Sequence, residues 1–223
     1  MRDRATGSDV LTSPNEEGAR VPLRRVVVFD LGGVLLDWNP RYLYRKLFDG
    51  DEAAVEAFLS EVCTPEWNLA QDAGRGYDDA IEALMPKHRA WRSHIAAWRD
   101  RFGEMIPGPI DDTVAIAAEL RARGVPLYAL TNWPRETFPP QRRRFAFMDW
   151  FEGIVVSGDE KVIKPDPRIF RILLDRYGLD AHETVFIDDN PRNADAASSL
   201  GMHGVHFRSA PELRRELAGL ALL

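Results

Sequence analysis

The chain has 223 residues, of which 45% are hydrophobic and 29% are charged, as is typical of globular proteins. Its formal net charge of −6 offers no overall basic field for nucleic acid or an anionic membrane, and its apolar runs are far shorter than the roughly 18 residues of a transmembrane helix. Cys63 is the only cysteine, which excludes an intramolecular disulfide and fits a reducing compartment, so we expect a cytoplasmic protein.

The chain begins with a polar segment, residues 1–22, which lacks the apolar centre of a signal peptide and is predicted to be a disordered leader. Beyond it, short apolar runs predict five strands, at 25–30, 126–131, 153–157, 184–188 and 204–207. Helical segments separate the later strands, near 111–123, 135–145, 166–177, 191–200 and 210–221. This alternation predicts an α/β fold, a Rossmann-like parallel sheet with helices on both faces.

The connection between the first two strands, about 95 residues, is too long for one crossover helix. Four segments within it have helical patterns: 41–48, 51–62, 77–85 and 88–102. In the last of them, Trp91, Ile95, Trp98 and Phe102 recur at helical spacing and predict one buried face. We therefore expect an all-α cap at 38–107, inserted between the core segments 23–37 and 108–223. Hinges are expected near 37–40 and 106–109, where Pro and Gly cluster.

Polar residues follow several of the predicted strands at the point where each one ends. Asp30 ends the first strand, Thr131 and Asn132 end the second, Lys164 comes after the third, and the pair Asp188-Asp189 ends the fourth. The carboxyl ends of parallel strands lie at the same edge of a sheet, so we expect these side chains to converge there.

Such a set of groups is suited to phosphoryl transfer. Three carboxylates aimed at one point repel one another and need a cation, and oxygen ligands suit Mg²⁺. The metal would neutralise a phosphate and leave one carboxylate free to attack phosphorus. Thr131 and the backbone N–H groups near Gly32 and Gly33 could hold phosphoryl oxygens, while Lys164 would add positive charge.

Four motifs, in order, carry a family resemblance: FDLGGVL at 29–35, LTN at 130–132, KPDPRIF at 164–170 and FIDDNPRNADAA at 186–197. They resemble the motifs of the haloacid-dehalogenase-like superfamily, in the subgroup whose first motif reads DLGGVL. The inserted helices resemble that superfamily's class-one cap. The resemblance covers essentially everything from residue 24 to 208.

The resemblance implies a Mg²⁺-dependent hydrolase that cleaves a phosphate monoester of a small metabolite, such as a sugar phosphate, through an aspartyl-phosphate. Asp30 would be the nucleophile, with Lys164 bridging it to the phosphate. The implied metal ligands are Asp30, the main-chain carbonyl of Gly32, Asp188 and Asp189. The implied phosphate-binding residues are Gly33, Thr131, Asn132 and Lys164. The sequence does not indicate an oligomeric state.

One position departs from the superfamily pattern. Most phosphatases of the superfamily that this chain resembles carry an Asp two residues after the nucleophile, as general acid and base. This chain has Gly32 at that position. Three explanations remain open. Another acid could substitute, with Asp37, Glu66 and Asp72 as candidates. The leaving group could be good enough without an acid, as in an anomeric or acyl phosphate. The chain could also be slow or inactive.

Other functions compete with the phosphatase prediction. A haloacid dehalogenase would use the same nucleophile on carbon and would need neither a metal nor the acidic pair. A catalytically inert member would bind phosphate or magnesium without turnover. A receiver domain combines similar residues, but in another order and without inserted helices.

Some of the singled-out residues also have purely structural interpretations. The segment from Asp188 to Pro191 is also typical of a helix N-cap. Trp38 and Trp133 could line a substrate site or simply pack in the core.

Overall fold

The computed structural model describes residues 25–223, so the predicted leader at 1–22 lies outside the described part of the chain. Its strands form one parallel sheet in the order β3-β2-β1-β4-β5, which confirms the predicted Rossmann-like α/β fold. The strands are β1 Val26–Phe29, β2 Leu127–Thr131, β3 Gly153–Val156, β4 Thr184–Asp188 and β5 His203–His206. Strands β2 and β4 are buried throughout, and β1 is buried except at Val26, because helices cover both faces of the sheet.

The strand order creates a switch point beside β1. The chain runs from β1 outward through β2 to β3, then returns to the other side of β1 for β4 and β5. Phe29 is paired with Ile187, and the N–H of Asp30 donates to the Ile187 carbonyl at 2.8 Å. Asp30 therefore lies beside the end of β4, in the place where open α/β sheets bind their ligands.

Five helices occupy the predicted insertion, the first part of the long connection between β1 and β2: α1 Arg41–Leu47, α2 Glu52–Glu61, α3 Pro65–Asp72, α4 Tyr77–His88 and α5 Arg92–Asp100. Helix α3 does not appear among the sequence predictions. Thr64 caps it by accepting a hydrogen bond from the N–H of Trp67, and Pro65 occupies its first turn.

Aromatic side chains hold the inserted helices together. The ring of Tyr44 lies 4.7 Å from that of Phe58 and 5.8 Å from that of Trp98, measured between centroids. Ile95, Trp98 and Phe102 are buried, as their spacing predicts. Trp91 is 37% exposed, because it lies at the edge of the group, in a short 3₁₀ turn before α5. The stripe is therefore core except at its first member.

The two segments that enter and leave the inserted helices pair with each other. The N–H of Asp37 donates to the Gly108 carbonyl at 3.1 Å, and the N–H of Asn39 donates to the Met105 carbonyl at 2.8 Å. The guanidinium of Arg144 donates to the carbonyl of Ile106 at 2.8 Å. These contacts lie where we predicted hinges; the division into a cap and a core stays a prediction.

The remaining helices alternate with the later strands. They are α6 Asp111–Ala122, α7 Phe138–Arg144, α8 Ser157–Glu160, α9 Pro167–Tyr177, α10 Pro191–Ser199 and α11 Ala210–Gly219. All except the short α8 correspond to predicted helical segments. Among residues 25–223, no helix combines the length and the apolar character that crossing a membrane requires.

Candidate active site

A buried lysine joins the ends of two neighbouring strands. The Nζ of Lys164 lies 2.9 Å from Oδ2 of Asp30 and 2.7 Å from Oδ2 of Asp188, and it also donates to the carbonyl of Leu130 at 2.8 Å. Lys164 is 2% exposed, so these partners surround its ammonium almost completely. One cation thus holds two carboxylates together at the switch point.

The main chain of Lys164 is positioned by Asn132. The amide oxygen of Asn132 accepts from the N–H of Lys164 at 2.8 Å, and its amide nitrogen donates to the carbonyl of Lys164 at 3.1 Å. We predicted Asn132 as a phosphate ligand. Its side chain lines the cavity and keeps a second N–H, but its oxygen is committed to the lysine. Asn132 therefore has a positioning contact that the sequence did not indicate.

Three carboxylates converge beside this lysine. Ligand atoms of Asp30, Asp188 and Asp189 lie within 4.8 Å of one another. We call these three residues together with Lys164 the strand-end cluster. An all-oxygen donor set with a surplus of negative charge fits Mg²⁺, which would supply charge neutralisation for the cluster and for a phosphate. We predicted that Asp30, Asp188, Asp189 and the carbonyl of Gly32 would hold it; Gly32 lines the same cavity as Asp30 and Asp189.

Asp188 is the most constrained member of the cluster. Its Oδ1 accepts from the N–H of Asn190 and from the side-chain amide of Asn193, both at 2.9 Å, while its Oδ2 accepts from Lys164. Asn190 accepts from the N–H of Arg192 and is the N-cap of α10. Asn190 therefore has the capping role suggested for this segment, so Asp188 and Asp189 are not needed as the N-cap.

Burial perturbs the ionisation of the cluster. Desolvation raises the pKa of Asp30 above its usual range; Lys164 opposes that effect, and the negative charge of Asp188 adds to it. Desolvation also disfavours the ammonium of Lys164, but Asp30 and Asp188 outweigh it and hold the pKa of the lysine above its ordinary value. A divalent cation would add a further charge that favours the ionised carboxylates.

Gly33 occupies a position that only glycine fits. Its φ is +75°, a conformation that L side chains rarely adopt, and a Cβ there would lie 2.5 Å from Oδ2 of Asp189. Gly32 is different: its φ is not positive, and among the described residues a Cβ there would meet only the Cβ of Trp38, at 3.8 Å. The first glycine is therefore replaceable in steric terms, whereas the second is required by Asp189.

A cavity of about 330 Å³ opens onto the cluster. The core contributes Thr131 at the end of β2, which is 1% exposed and lies where we predicted. The cavity is lined by Asp30, Gly32, Gly33, Trp38, Asn68, Asp72, Phe102, Thr131, Asn132, Trp133, Pro134 and Asp189. Both tryptophans that we had left between cavity and core thus reach the cavity, and Trp133 is buried as well.

The sequence prediction missed what the inserted helices bring to this cavity. Asn68 and Asp72, which we call the α3 pair, reach it from the unpredicted helix, and Phe102 reaches it from the segment after α5. Asp72 was named only as one of three candidate acids. The Thr64-Pro65 start signal could have revealed α3, but nothing in the sequence places its inward face beside Asp30.

Comparison with known proteins identifies related sequences over most of the chain. A family model for haloacid dehalogenase-like hydrolases matches residues 24–201. A sesquiterpene phosphatase of Aspergillus oryzae is 29% identical over 197 residues, which cover 88% of this chain and 96% of that protein. A phosphoglycolate phosphatase of Yersinia pseudotuberculosis is 30% identical over 193 residues, covering 79% and 78% of the two chains.

A solved structure shows the same fold. A HAD-family enzyme of Bacteroides thetaiotaomicron, crystallised with magnesium and inorganic phosphate, matches with a TM-score of 0.63 at 23% identity, covering 83% of this chain and 94% of the other. The family match extends over well over half of the residues and includes all four motifs. The chain belongs to the haloacid dehalogenase-like hydrolase family.

Proposed function

We propose that this protein is a Mg²⁺-dependent phosphatase that hydrolyses a phosphate monoester of a small metabolite through an aspartyl-phosphate on Asp30. The observation that carries the proposal is the strand-end cluster, in which three carboxylates and one buried lysine converge at a cavity. The phosphatase names of two relatives and the magnesium and phosphate bound by a structural neighbour support it. A sugar phosphate remains one substrate candidate, and a cytoplasmic location is part of the proposal.

Each residue of the site has a proposed part in the reaction. A carboxylate oxygen of Asp30 attacks phosphorus and forms the P–O bond of an aspartyl-phosphate while the ester P–O bond breaks. Lys164, Thr131 and the N–H groups beside Gly33 stabilise the negative charge that spreads over the phosphoryl oxygens. Water then attacks the same phosphorus, and phosphate leaves as the carboxylate of Asp30 is restored.

The acidic pair favours phosphate over halide as the substrate group. A dehalogenase acting on carbon needs no cation and therefore does not require carboxylates in the positions of Asp188 and Asp189. In this chain both residues lie within the same cluster as Asp30, and Asp188 is tied to the lysine by a 2.7 Å contact. The surplus negative charge would be unfavourable without a bound cation.

Turnover of an aryl phosphate with and without Mg²⁺ tests the proposal. We expect activity with Mg²⁺, its loss in EDTA, and its recovery when Mg²⁺ is added back. Full activity in chelator would overturn the metal assignment. Chloride release from a 2-chloroacid without phosphate release would establish a dehalogenase instead. Binding of magnesium and phosphate with no turnover of a panel of phosphorylated metabolites would identify an inert member of the family.

A further inference from the structure

The structure distinguishes between the candidate acids that could compensate for Gly32. Asp37 does not line the cavity; its Oδ2 accepts from the hydroxyl of Tyr42 at 2.8 Å. Glu66 is exposed on the first turn of α3 and does not line the cavity either. Asp72, the last residue of the same helix, does line the cavity. Among the residues that line this cavity, Asp72 is the one carboxyl outside the strand-end cluster.

The surroundings of Asp72 favour a carboxyl that changes its protonation state near neutral pH. Asp72 is 5% exposed, and burial raises its pKa to about 7, with the charge of Lys164 acting in the opposite direction. Tyr77 on α4 also interacts with Asp72, and burial raises the pKa of Tyr77 above its ordinary value. Neither Lys164 nor Tyr77 changes charge near neutral pH, so Asp72 titrates against a constant background from these two groups.

Asn68 is placed to serve both protonation states of Asp72. Its amide nitrogen donates to Oδ2 of Asp72 at 3.1 Å, which suits a carboxylate. Within residues 25–223, its own oxygen is buried without a hydrogen-bond partner. A half-turn of the amide would present that oxygen to a protonated carboxyl as an acceptor. The unpartnered oxygen thus has a use if Asp72 gains and loses a proton during turnover.

The main chain of Asp72 is fixed to the core of the protein. The hydroxyl of Ser157, at the start of α8, donates to the carbonyl of Asp72 at 2.6 Å and accepts from the N–H of Trp133 at 2.9 Å. Trp133 directly follows Thr131 and Asn132. Ser157 therefore couples the end of α3 to the segment that borders the phosphate site, which gives Asp72 a defined position relative to that segment.

We propose that Asp72 is the general acid and base of this enzyme. It supplies, from the inserted helices, the carboxyl group that is absent at Gly32. The inference rests on the proposed phosphatase function. While the ester P–O bond breaks, the carboxyl of Asp72 gives its proton to the leaving oxygen and an alcohol departs. The resulting carboxylate then takes a proton from the water that attacks the aspartyl-phosphate. Phosphate is released, and both aspartates return to their starting states.

The proposal predicts a selective effect of Asp72→Asn, which keeps the size of the side chain and its contact with Asn68. A general acid typically contributes about 10²- to 10⁴-fold, so turnover of a primary alkyl phosphate should fall by that factor. An aryl phosphate with a good leaving group needs little protonation and should lose far less. Glu66→Gln, on the same helix but outside the cavity, is the matched control and should leave both rates unchanged.

The pH profile gives a second readout. Asp72 must be protonated to donate, so the alkyl-phosphate kcat of the wild type should decline as pH rises through about 7. That decline should vanish in Asp72→Asn while any limb due to other groups persists. Adding Gly32→Asp to this variant should recover part of the alkyl-phosphate turnover, since the backbone at Gly32 has no positive φ and a Cβ there would lie 3.8 Å from the Cβ of Trp38, its nearest contact among residues 25–223.

Two results would overturn the role of Asp72. One is an Asp72→Asn enzyme with the same ratio of alkyl to aryl rates as the wild type. The other is a wild-type enzyme that hydrolyses aryl phosphates hundreds of times faster than alkyl phosphates, because that rate ratio would show that no general acid assists the alkyl leaving group. Both leave the proposed function standing. Absence of any metal-dependent aryl-phosphate turnover in the wild type would instead overturn the two proposals together.

Discussion

The strand-end cluster and the α3 pair face the same cavity but are built in opposite ways. The cluster is dense in charge: Lys164 lies within 3 Å of two carboxylates, and every partner comes from the end of a strand or the loop after it. The α3 pair is sparse, with one carboxyl and one amide beside the aromatic side chains of Trp38, Phe102 and Trp133. The two regions therefore offer different chemistry to the two ends of a phosphate ester.

Under the proposed function, the two regions act on different parts of the substrate. The charged side suits the phosphoryl group, which is the same in every substrate of this type. The apolar side, with its single hydrogen-bonding pair, suits the leaving group, which is what distinguishes one substrate from another. Variants on the first side should impair all substrates equally, and variants on the second should change the ratio between substrates.

The largest effect is expected at Asp30. Asp30→Asn should reduce turnover of alkyl and aryl phosphates alike by at least about 10³-fold, because an amide is a poor nucleophile toward phosphorus. Steady-state rates for both ester types measure this, and Asp72→Asn is the matched comparison because it should affect mainly the alkyl ester. Beryllofluoride should bind the wild type at Asp30 as an acyl-phosphate mimic. An Asp30→Ala enzyme that remains active would place the nucleophile elsewhere.

An intermediate effect is expected at Gly33, and the chain contains a matched control. Gly33 and Gly124 have φ of +75° and +76°, but a Cβ at Gly33 would meet Asp189, whereas one at Gly124 would have no atom of residues 25–223 within 4 Å. Alanine should cost each about 1–2 kcal/mol of stability. Only Gly33→Ala should displace Asp189 and raise the Mg²⁺ concentration needed for half-maximal activity, by about 10–100-fold. Equal Mg²⁺ requirements in the two variants would remove Asp189 from the metal site.

The contrast between the two regions also explains what the sequence could predict. Strand ends are visible as apolar β-branched runs that stop at a polar residue, and parallel pairing then brings Asp30 and Asp188 together without further information. The predicted fold class and family resemblance are accordingly confirmed. The catalytic roles of the strand-end residues stay predictions, although all of them lie at or beside the cavity.

Tertiary packing, by contrast, decides what the inserted helices contribute. Helix α3 has few apolar residues, and one of them, Leu69, is 42% exposed, so it gives no clear periodic pattern. The hydrogen bond between the side chain of Asn132 and the main chain of Lys164 also cannot be predicted from the sequence, because it depends on how closely the loop with Lys164 approaches β2. Pairwise geometry of this kind follows from the folded chain and has no local signal.

The smallest effect on turnover is expected at Ser157, which joins the two regions. Ser157 is fully buried, and alanine there would leave the carbonyl of Asp72 and the N–H of Trp133 without their partner, at a cost of about 1–3 kcal/mol in the free energy of unfolding. Because Asp72 would lose the hydrogen bond to its carbonyl but keep its carboxyl, alkyl-phosphate turnover should fall by less than in Asp72→Asn, with aryl-phosphate turnover nearly unchanged.

Ser60→Ala is the control for this variant. The exposed hydroxyl of Ser60 donates to carbonyls of its own helix, so its loss should change stability by less than about 0.5 kcal/mol. Denaturant unfolding and the alkyl-to-aryl rate ratio measure both effects. A Ser157→Ala enzyme that loses stability but keeps the wild-type ratio would show that the position of Asp72 does not depend on this contact.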